Sequence, residues 1–452
     1  MSFSLREYIN ESVHVAPLAV FRILFGAIIF ISLVRFWLLG WIEDFYIKPQ
    51  LHFPFYGFEF VKPIGSYIYI IFAIAALSAL FILAGYKYRL ATAAFFLSFT
   101  YIELIDKTYY LNHYYFVSLV GFILLLVPAS SFFSVDASRN PEKEYTYVPR
   151  WTVGSIRLML CLVYFFAGIA KLNSDWLLEA LPLKIWLPSK YDLPIFGPLV
   201  DEIWLAYLFS WFGAFYDLFI WIFLLNRKTR PYAFPFVIIF HVFTAIFFPA
   251  IGMFPYIMLL SSLIFLDARA ALYLLKLFKK LLKIRGISTP GRIYPIQKLL
   301  IIKPLLVIFF SIQILTPVRY LLYPGELFWS EEGFRFSWRV MLMEKAGMAT
   351  FTVKDSLTER SVLVNNSSFL NPTQEKQMSF QPDMILQFAH FLGDYYKKKG
   401  FSRPQVFVES YVTLNGRPGQ AIIIPHTDLY KQKEDFSHKD WIARYNHDIK
   451  GF

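Results

Sequence analysis

Long apolar stretches alternate with short polar segments along most of this chain. A helix needs roughly 20 predominantly apolar residues to cross the hydrocarbon core of a bilayer, and many of the stretches approach or exceed that length. The pattern therefore predicts an α-helical polytopic membrane protein with about nine membrane segments. The predicted segments are residues 16–42, 64–86, 90–106, 112–129, 151–172, 202–225, 232–249, 252–266 and 298–317.

Two kinds of residue interrupt the apolar pattern. Pro249 and Gly252 separate the seventh and eighth segments. We expect a tight re-entrant bend there, because non-helical backbone at membrane depth is tolerated only where protein or a cavity covers it. Arg22, Arg35 and Arg157 lie within or at the edges of apolar segments. They either pair with carboxylates or line a cavity.

The pattern changes after Thr316, because residues 318–452 contain no stretch that could span a bilayer. We expect a transmembrane domain at 1–317 and a small C-terminal β-rich domain, α+β or β-sandwich, at 318–452. Its last 25 residues are polar and are expected to be irregular. The predicted elements are strands at 349–354, 361–365, 405–414 and 420–424, a hairpin turn at 415–418, and an amphipathic helix at 381–399 that stops at Gly400.

The low fraction of charged residues and the distribution of basic residues are typical of a membrane protein. Hydrophobic residues make up 57% of the chain and charged residues 17%, against about a quarter in soluble domains. The net charge of +12 comes largely from basic loops on one side of the predicted segments, which places the N-terminus in the cytoplasm and the C-terminal domain in the periplasm or lumen. The positive net charge therefore does not require nucleic-acid binding as an explanation. Residues 267–297 are predicted to be a basic amphipathic connector on the cytoplasmic surface, with a soluble helical linker as the alternative.

Several types of site are excluded or disfavoured. Cys161 is the single cysteine, so an intrachain disulfide or a cluster of thiolate ligands cannot form. His426, His438 and His447 lack the spacing of metal ligands, and no metal site is predicted. Phosphate-binding loops and nucleophile elbows are absent from the sequence.

A few polar residues are predicted to meet near the outer ends of the membrane segments. Lys171 ends the fifth segment, and His241 lies in the outer half of the seventh. Asn112 and His113 open the fourth. Ionisable groups at such depth are costly and usually functional, whereas Lys107 is interpreted as an interfacial residue. Lys171 has two interpretations: it extends to water with no further role, or desolvation favours its neutral form and it acts as a base.

These residues lie in motifs that resemble the vitamin K-dependent γ-glutamyl carboxylases and their bacterial relatives. The likeness covers almost the whole chain. The matching motifs are Asn112–Tyr114, Phe166–Trp176, His241–Tyr256, Glu331–Trp338 and Met341–Lys345. The resemblance implies a bacterial inner-membrane protein and a lysine motif centred on Lys171.

The resemblance also implies a reaction. Lys171 would deprotonate reduced vitamin K hydroquinone, or menaquinol, which then reacts with O2 to give an epoxide. The strong base formed on the way would remove a γ-proton from a peptidyl glutamate, and the carbanion would capture CO2. His113 would serve the glutamate half of the reaction, and Asn112 and His241 would bind substrate. The implied partners are a glutamate-containing peptide or protein and the lipid bilayer.

The chain departs from the animal members of that family. Ala170 and Asn173 stand where those members have a lysine and an aspartate, and Thr244 replaces an asparagine. Two alternatives therefore stay open: a quinol epoxidase that does not carboxylate glutamate, and a non-catalytic membrane scaffold that retains the fold.

Overall fold

The computed structural model describes residues 4–281, 291–295 and 301–451. The protein is mostly helical, with a small sheet near its C-terminal end. The helices are α1 (Leu5–Asn10), α2 (Ala16–Leu38), α3 (Ile68–Ala84), α4 (Tyr88–Ile105), α5 (Asn112–Leu126), α6 (Val135–Arg139), α7 (Arg150–Ala170), α8 (Ser174–Glu179), α9 (Leu183–Trp186), α10 (Ile203–Leu225), α11 (Arg230–Phe247), α12 (Phe254–Ser261), α13 (Ala268–Leu281), α14 (Ile302–Val318), α15 (Leu327–Ser330), α16 (Pro372–Met378) and α17 (Pro382–Lys398). The strands are β1 (Ser12–His14), β2 (Tyr147–Pro149), β3 (Lys345–Asp355), β4 (Ser361–Leu363), β5 (Pro404–Leu414) and β6 (Gln420–Ala421).

Each predicted membrane segment corresponds to a helix, but the count of nine crossings is not confirmed. Among the described residues, six helical stretches are long and apolar enough to cross a membrane. They contain α2, α3, α7, α10, α11 and α14. The helices α5 and α12 are apolar but shorter. The expected bend after α11 is present as a 3-10 turn, Pro249–Ile251, followed by Gly252 in a left-handed conformation with φ of 66°.

Two of the membrane arginines hold backbone carbonyls. Arg22 is fully buried and donates to the carbonyl oxygens of Ile82, Leu83 and Phe133 at 2.6–2.9 Å. Arg157 donates to the carbonyl oxygen of Ile264 at 3.0 Å. Buried backbone oxygens need hydrogen-bond partners, and where water is excluded these arginines supply the donors.

The C-terminal region forms the predicted strands and helix. Its sheet has the order β4-β3-β5-β6 and is antiparallel throughout. The strands β3 and β5 pair along their full length, from Lys345 opposite Leu414 to Asp355 opposite Pro404. The buried face of α17 packs against this sheet, which makes the domain an α+β layer and not a sandwich.

A second apolar core joins this domain to the adjacent ends of the membrane helices. It contains Phe351 and Leu392 of the domain together with Trp176, Leu205 and Phe247. The domain is therefore packed onto the membrane region and not merely tethered to it.

Buried charges reinforce the same contact. Lys107, predicted to be interfacial, is 3% exposed and bonds Asp383 at 2.7 Å. Arg335 bonds the same carboxylate at 2.7 Å. Burial alone would raise the pKa of Asp383, but the two cations hold it well below its usual range.

The basic connector is partly described. The helix α13 covers the first part of the predicted amphipathic segment and buries Ala271 and Leu275. Residues 282–290 and 296–297 of the predicted connector lie outside the described residues.

Candidate functional site

The site begins where α7 and α10 approach each other closely. A Cβ on Gly168 would lie 2.6 Å from the backbone nitrogen of Leu218, so only glycine allows this approach. The contact brings the last turn of α7 next to Asp217 of α10. Lys171, the residue that follows α7, therefore reaches Asp217.

Lys171 and Asp217 form a buried ion pair. The Nζ atom of Lys171 lies 2.7 Å from Oδ2 of Asp217, and both side chains are less than a tenth exposed. Nζ also donates to the carbonyl oxygen of Ala167 at 3.3 Å. The ring of Trp176 lies 5.3 Å from Nζ, close enough for a cation–π contact. The lysine does not extend to water, so the first of its two interpretations is wrong.

The ion pair lines an almost wholly apolar cavity of about 280 Å³. Its walls come from α7, α10, α11 and the start of α12, with Val340 and Met341 contributed by the segment before β3. Three lining residues are also exposed on the outer surface of the helices: Leu208 at 54%, Phe212 at 37% and Ile239 at 46%. In a membrane protein such surfaces face lipid, so the cavity opens toward the bilayer between α10 and α11.

His241 supplies a further polar group to the wall of this cavity. Its Nε2 lies 3.2 Å from the hydroxyl of Tyr164. Its Nδ1 is buried and has no hydrogen-bond partner among the described residues. A buried polar atom without a partner costs free energy, and a ligand with a hydroxyl or carbonyl group would satisfy it.

The structure separates the predicted residues into two groups. Lys171 and His241 line the same cavity, whereas Asn112 and His113 are not among the described residues that line it. The ring of Phe254, which lines the cavity, contacts both histidines, with its centroid 6.0 Å from the ring of His113 and 6.3 Å from that of His241. The side chain of Asn112 instead forms hydrogen bonds with Tyr110 and Arg339.

Asn112 connects the membrane region to the chain that leads into the C-terminal domain. Its Nδ2 donates to the carbonyl oxygen of Arg339 at 3.2 Å, and its Oδ1 accepts from the hydroxyl of Tyr110 at 3.0 Å. It therefore fixes the segment that supplies Val340 and Met341 to the cavity.

A second, more polar cavity of about 240 Å³ lies close by. Asn173, Glu326 and Arg339 are among its lining residues. The two cavities therefore share short stretches of chain, since Lys171 and Met341 line one cavity and Asn173 and Arg339 line the other.

Sequence reasoning missed Asp217 and Tyr164. Asp217 lies in the middle of the predicted segment 202–225, whose other carboxylate, Glu202, is at its edge, and an ionisable residue at such depth is itself a signal of function. Nothing in the sequence pairs it with Lys171, which is 46 residues away. Tyr164 is one of many aromatic residues, and its position in the sequence does not distinguish it.

Comparisons with known proteins identify the family of the chain. No solved structure matches the chain. Residues 10–269 match the HTTM domain, and residues 298–448 match the lumenal domain of vitamin K-dependent gamma-carboxylase. The protein is thus a carboxylase-like membrane protein, and the chain belongs to the vitamin K-dependent gamma-carboxylase family.

Proposed function

We propose that this protein oxygenates a reduced vitamin K or menaquinol with O2 and uses the reaction to carboxylate peptidyl glutamate with CO2. The observation that carries the proposal is the buried Lys171–Asp217 pair at the wall of an apolar cavity that opens toward lipid. A quinol is lipid-soluble, and an apolar cavity with a few placed polar groups is the usual form of such a ligand site.

The residues present fit a quinol. The cavity, at about 280 Å³, is near the lower end of ligand pockets, so it suits a ring system whose apolar tail extends between α10 and α11. The unpartnered Nδ1 of His241 suits one ring oxygen, and the ion pair suits the other. When bound, the quinol supplies the oxygen chemistry.

The ion pair acts as one proton-binding unit. Lys171 and Asp217 carry opposite charges 2.7 Å apart, so the pair has no net charge. The pair would accept the proton of a bound quinol hydroxyl and would then carry one positive charge. In a site of low dielectric that charge would favour removal of the proton.

The apolar walls protect this chemistry from water. Side chains of α10, α11 and α12 surround the pair on the membrane side. A strong base generated inside the cavity would be quenched by solvent, and burial excludes it.

The peptide is assigned to the polar cavity. It lies beside the quinol cavity, and its wall combines the guanidinium of Arg339, which can bind a carboxylate, with the carboxylates of Glu326 and Glu332. In this arrangement the membrane domain (1–317) holds the quinol. The C-terminal domain (318–452), on the periplasmic or lumenal side of a bacterial inner membrane, presents the peptide.

The test is an assay of the purified protein with reduced vitamin K, O2, CO2 and a glutamate-containing peptide. Wild type should form the epoxide, and mass spectrometry should find γ-carboxyglutamate. Lys171→Ala should form neither. Lys184→Ala, a partly exposed lysine outside the apolar cavity, serves as the matched control and should behave as wild type.

One observation favours a second candidate function, a quinol epoxidase without carboxylation. His113, which the family resemblance assigns to the glutamate half of the reaction, contacts Phe254 but is not among the described residues that line the cavity. Epoxide without γ-carboxyglutamate across several peptides would select this candidate. Epoxide at equal, background levels in wild type and Lys171→Ala, across several quinols, would reject both, and a scaffold role would then follow.

A further inference from the structure

The loop that follows Lys171 is held by residues from the far end of the chain. The backbone N–H of Ser174 donates to the carbonyl oxygen of Lys450 at 2.7 Å. The N–H of Lys450 donates to Oγ of Ser174 at 3.0 Å. Asn173 and Gly451 form an antiparallel bridge. The C-terminal tail therefore pairs with residues two to three positions after Lys171.

A second contact holds the same loop from the sheet. Asp175 is 1% exposed and accepts from both terminal nitrogens of Arg417, each at 2.6 Å. Such parallel, charge-assisted bonds fix orientation as well as distance. Asn415 donates to the same carboxylate at 2.7 Å.

The turn that carries Arg417 is itself fixed. Asn415 is left-handed, with φ of 51°, and its backbone N–H donates to the carbonyl oxygen of Glu344 at 2.8 Å. Its Oδ1 accepts from the N–H of Glu344 at 2.8 Å. The partners of Asp175 thus lie on a turn that is hydrogen-bonded to the chain at the start of β3, and not on a free surface segment.

The tail contact leaves no room for a side chain. Gly451 has a φ of 127°, and a Cβ there would lie 2.2 Å from the carbonyl oxygen of Leu172. Both the conformation and the close approach require glycine.

These contacts act next to the catalytic lysine. Asn173 donates to the carbonyl oxygen of Ala170 at 2.9 Å, and its Oδ1 accepts from the N–H of Trp176 at 2.9 Å. The indole of Trp176 donates to the carbonyl oxygen of Ser210 at 2.7 Å, and its ring lies against Lys171. The loop therefore positions both the backbone of Lys171 and the Trp176 ring that lies beside its Nζ.

We propose that the C-terminal domain positions Lys171 through a clamp, defined as Arg417 with Asp175 and Lys450–Gly451 with Asn173–Ser174. Arg417 and Asp175 are positioning residues, since neither is among the described residues that line the two cavities, whereas Gly451 also lines the polar cavity. The effect of the clamp on catalysis rests on the proposed function, whereas its effect on the position of the loop after Lys171 does not.

The first test measures the loop directly by hydrogen exchange of the full-length protein in lipid nanodiscs. Arg417→Lys keeps the charge but loses the two parallel bonds. Gly451→Ala adds strain and a clash. We expect both to accelerate exchange of the amides of residues 172–176 on the order of tenfold, with the body of α7 unchanged. Gly400→Ala is the matched control: its φ is 95°, but a Cβ there meets nothing within 4 Å.

The second test separates positioning from general stability. Epoxidation by Arg417→Lys should show a kcat reduced on the order of tenfold or more, with the KM for quinol and the unfolding temperature close to wild type, because small misplacements of a reacting group slow the chemical step. Asp175→Asn combined with Arg417→Lys should lose little more than either change alone, since both act through one contact.

The outcomes are distinct. Unchanged exchange at residues 172–176, or exchange raised throughout the C-terminal domain, overturns the clamp. A loosened loop with wild-type kcat overturns the positioning role. A loosened loop in a protein whose wild type forms no epoxide leaves the clamp standing and removes the proposed function instead.

Discussion

Replacing Asp217 with asparagine tests the ion pair on which the site depends. The two charges lie 2.7 Å apart and are buried. At an effective dielectric constant of about 20 their attraction is about 6 kcal/mol. The cost of burying the carboxylate offsets part of this. Removing one partner of a buried pair costs about 3–5 kcal/mol, because the remaining charge is left uncompensated.

The loss should be visible as reduced thermal stability. With an unfolding entropy of about 2.1 cal/mol/K per residue, a loss of 3–5 kcal/mol lowers the midpoint of a 452-residue chain by about 3–5 °C. The single cysteine, Cys161, is buried. A thiol-reactive dye therefore reports unfolding of the purified protein without further engineering.

A double variant provides the internal control. Lys171→Met with Asp217→Leu removes both charges, and stability should return to wild type or above, because apolar residues can replace a buried ion pair without loss. Epoxidation should be lost in Asp217→Asn and in the double variant. Glu179→Gln, in an exposed pair with Lys184 at 4.0 Å, should change neither property. Asp217→Asn with wild-type stability and activity would refute the reasoning.

Three further predictions concern packing, the cavity mouth and pH. Gly168→Ala should lower both stability and epoxidation, because the added Cβ forces α7 away from α10. Gly154→Ala on the same helix, where a Cβ meets nothing within 4 Å, should lower neither. Thermal unfolding and epoxide assays compare the two variants. Ile239→Trp should raise the KM for long-tailed quinols more than for short-tailed ones, while Ile222→Trp, on lipid-facing surface away from the cavity, should leave the ratio unchanged. Asp383→Asn should be destabilising at neutral pH, and the difference from wild type should shrink as pH falls below about 4. The sign follows because the folded pKa of Asp383 lies below its unfolded value of 3.8, so its stabilisation is present above that pH and is lost as pH falls toward the folded pKa.

Much of the fold could be predicted from hydrophobic periodicity. The helix Pro382–Lys398 and the strand Pro404–Leu414 lie where the apolar pattern and the turn residues placed them. The tail after Ile424 is largely irregular, as its polar composition indicates, yet it pairs with the loop at Ser174. Pairing between residues 276 positions apart leaves no periodic signal in a single sequence.

The site could be predicted only in part for the same reason. Lys171 and His241 are conspicuous because charged or polar groups in apolar segments are rare. Their meeting depends on the contact of α7 with α10 at Gly168, which no local pattern encodes. The same limit applies to His113: its position at the start of a predicted membrane segment predicts a shared site, but it is not among the described residues that line the cavity.

The most direct test of the account is epoxide formation from a reduced vitamin K by purified wild type and Lys171→Ala, both confirmed to be folded by the Cys161 dye assay. The account predicts O2-dependent epoxide in wild type and none above background in Lys171→Ala. Equal levels in the two proteins, with several quinols, would contradict it.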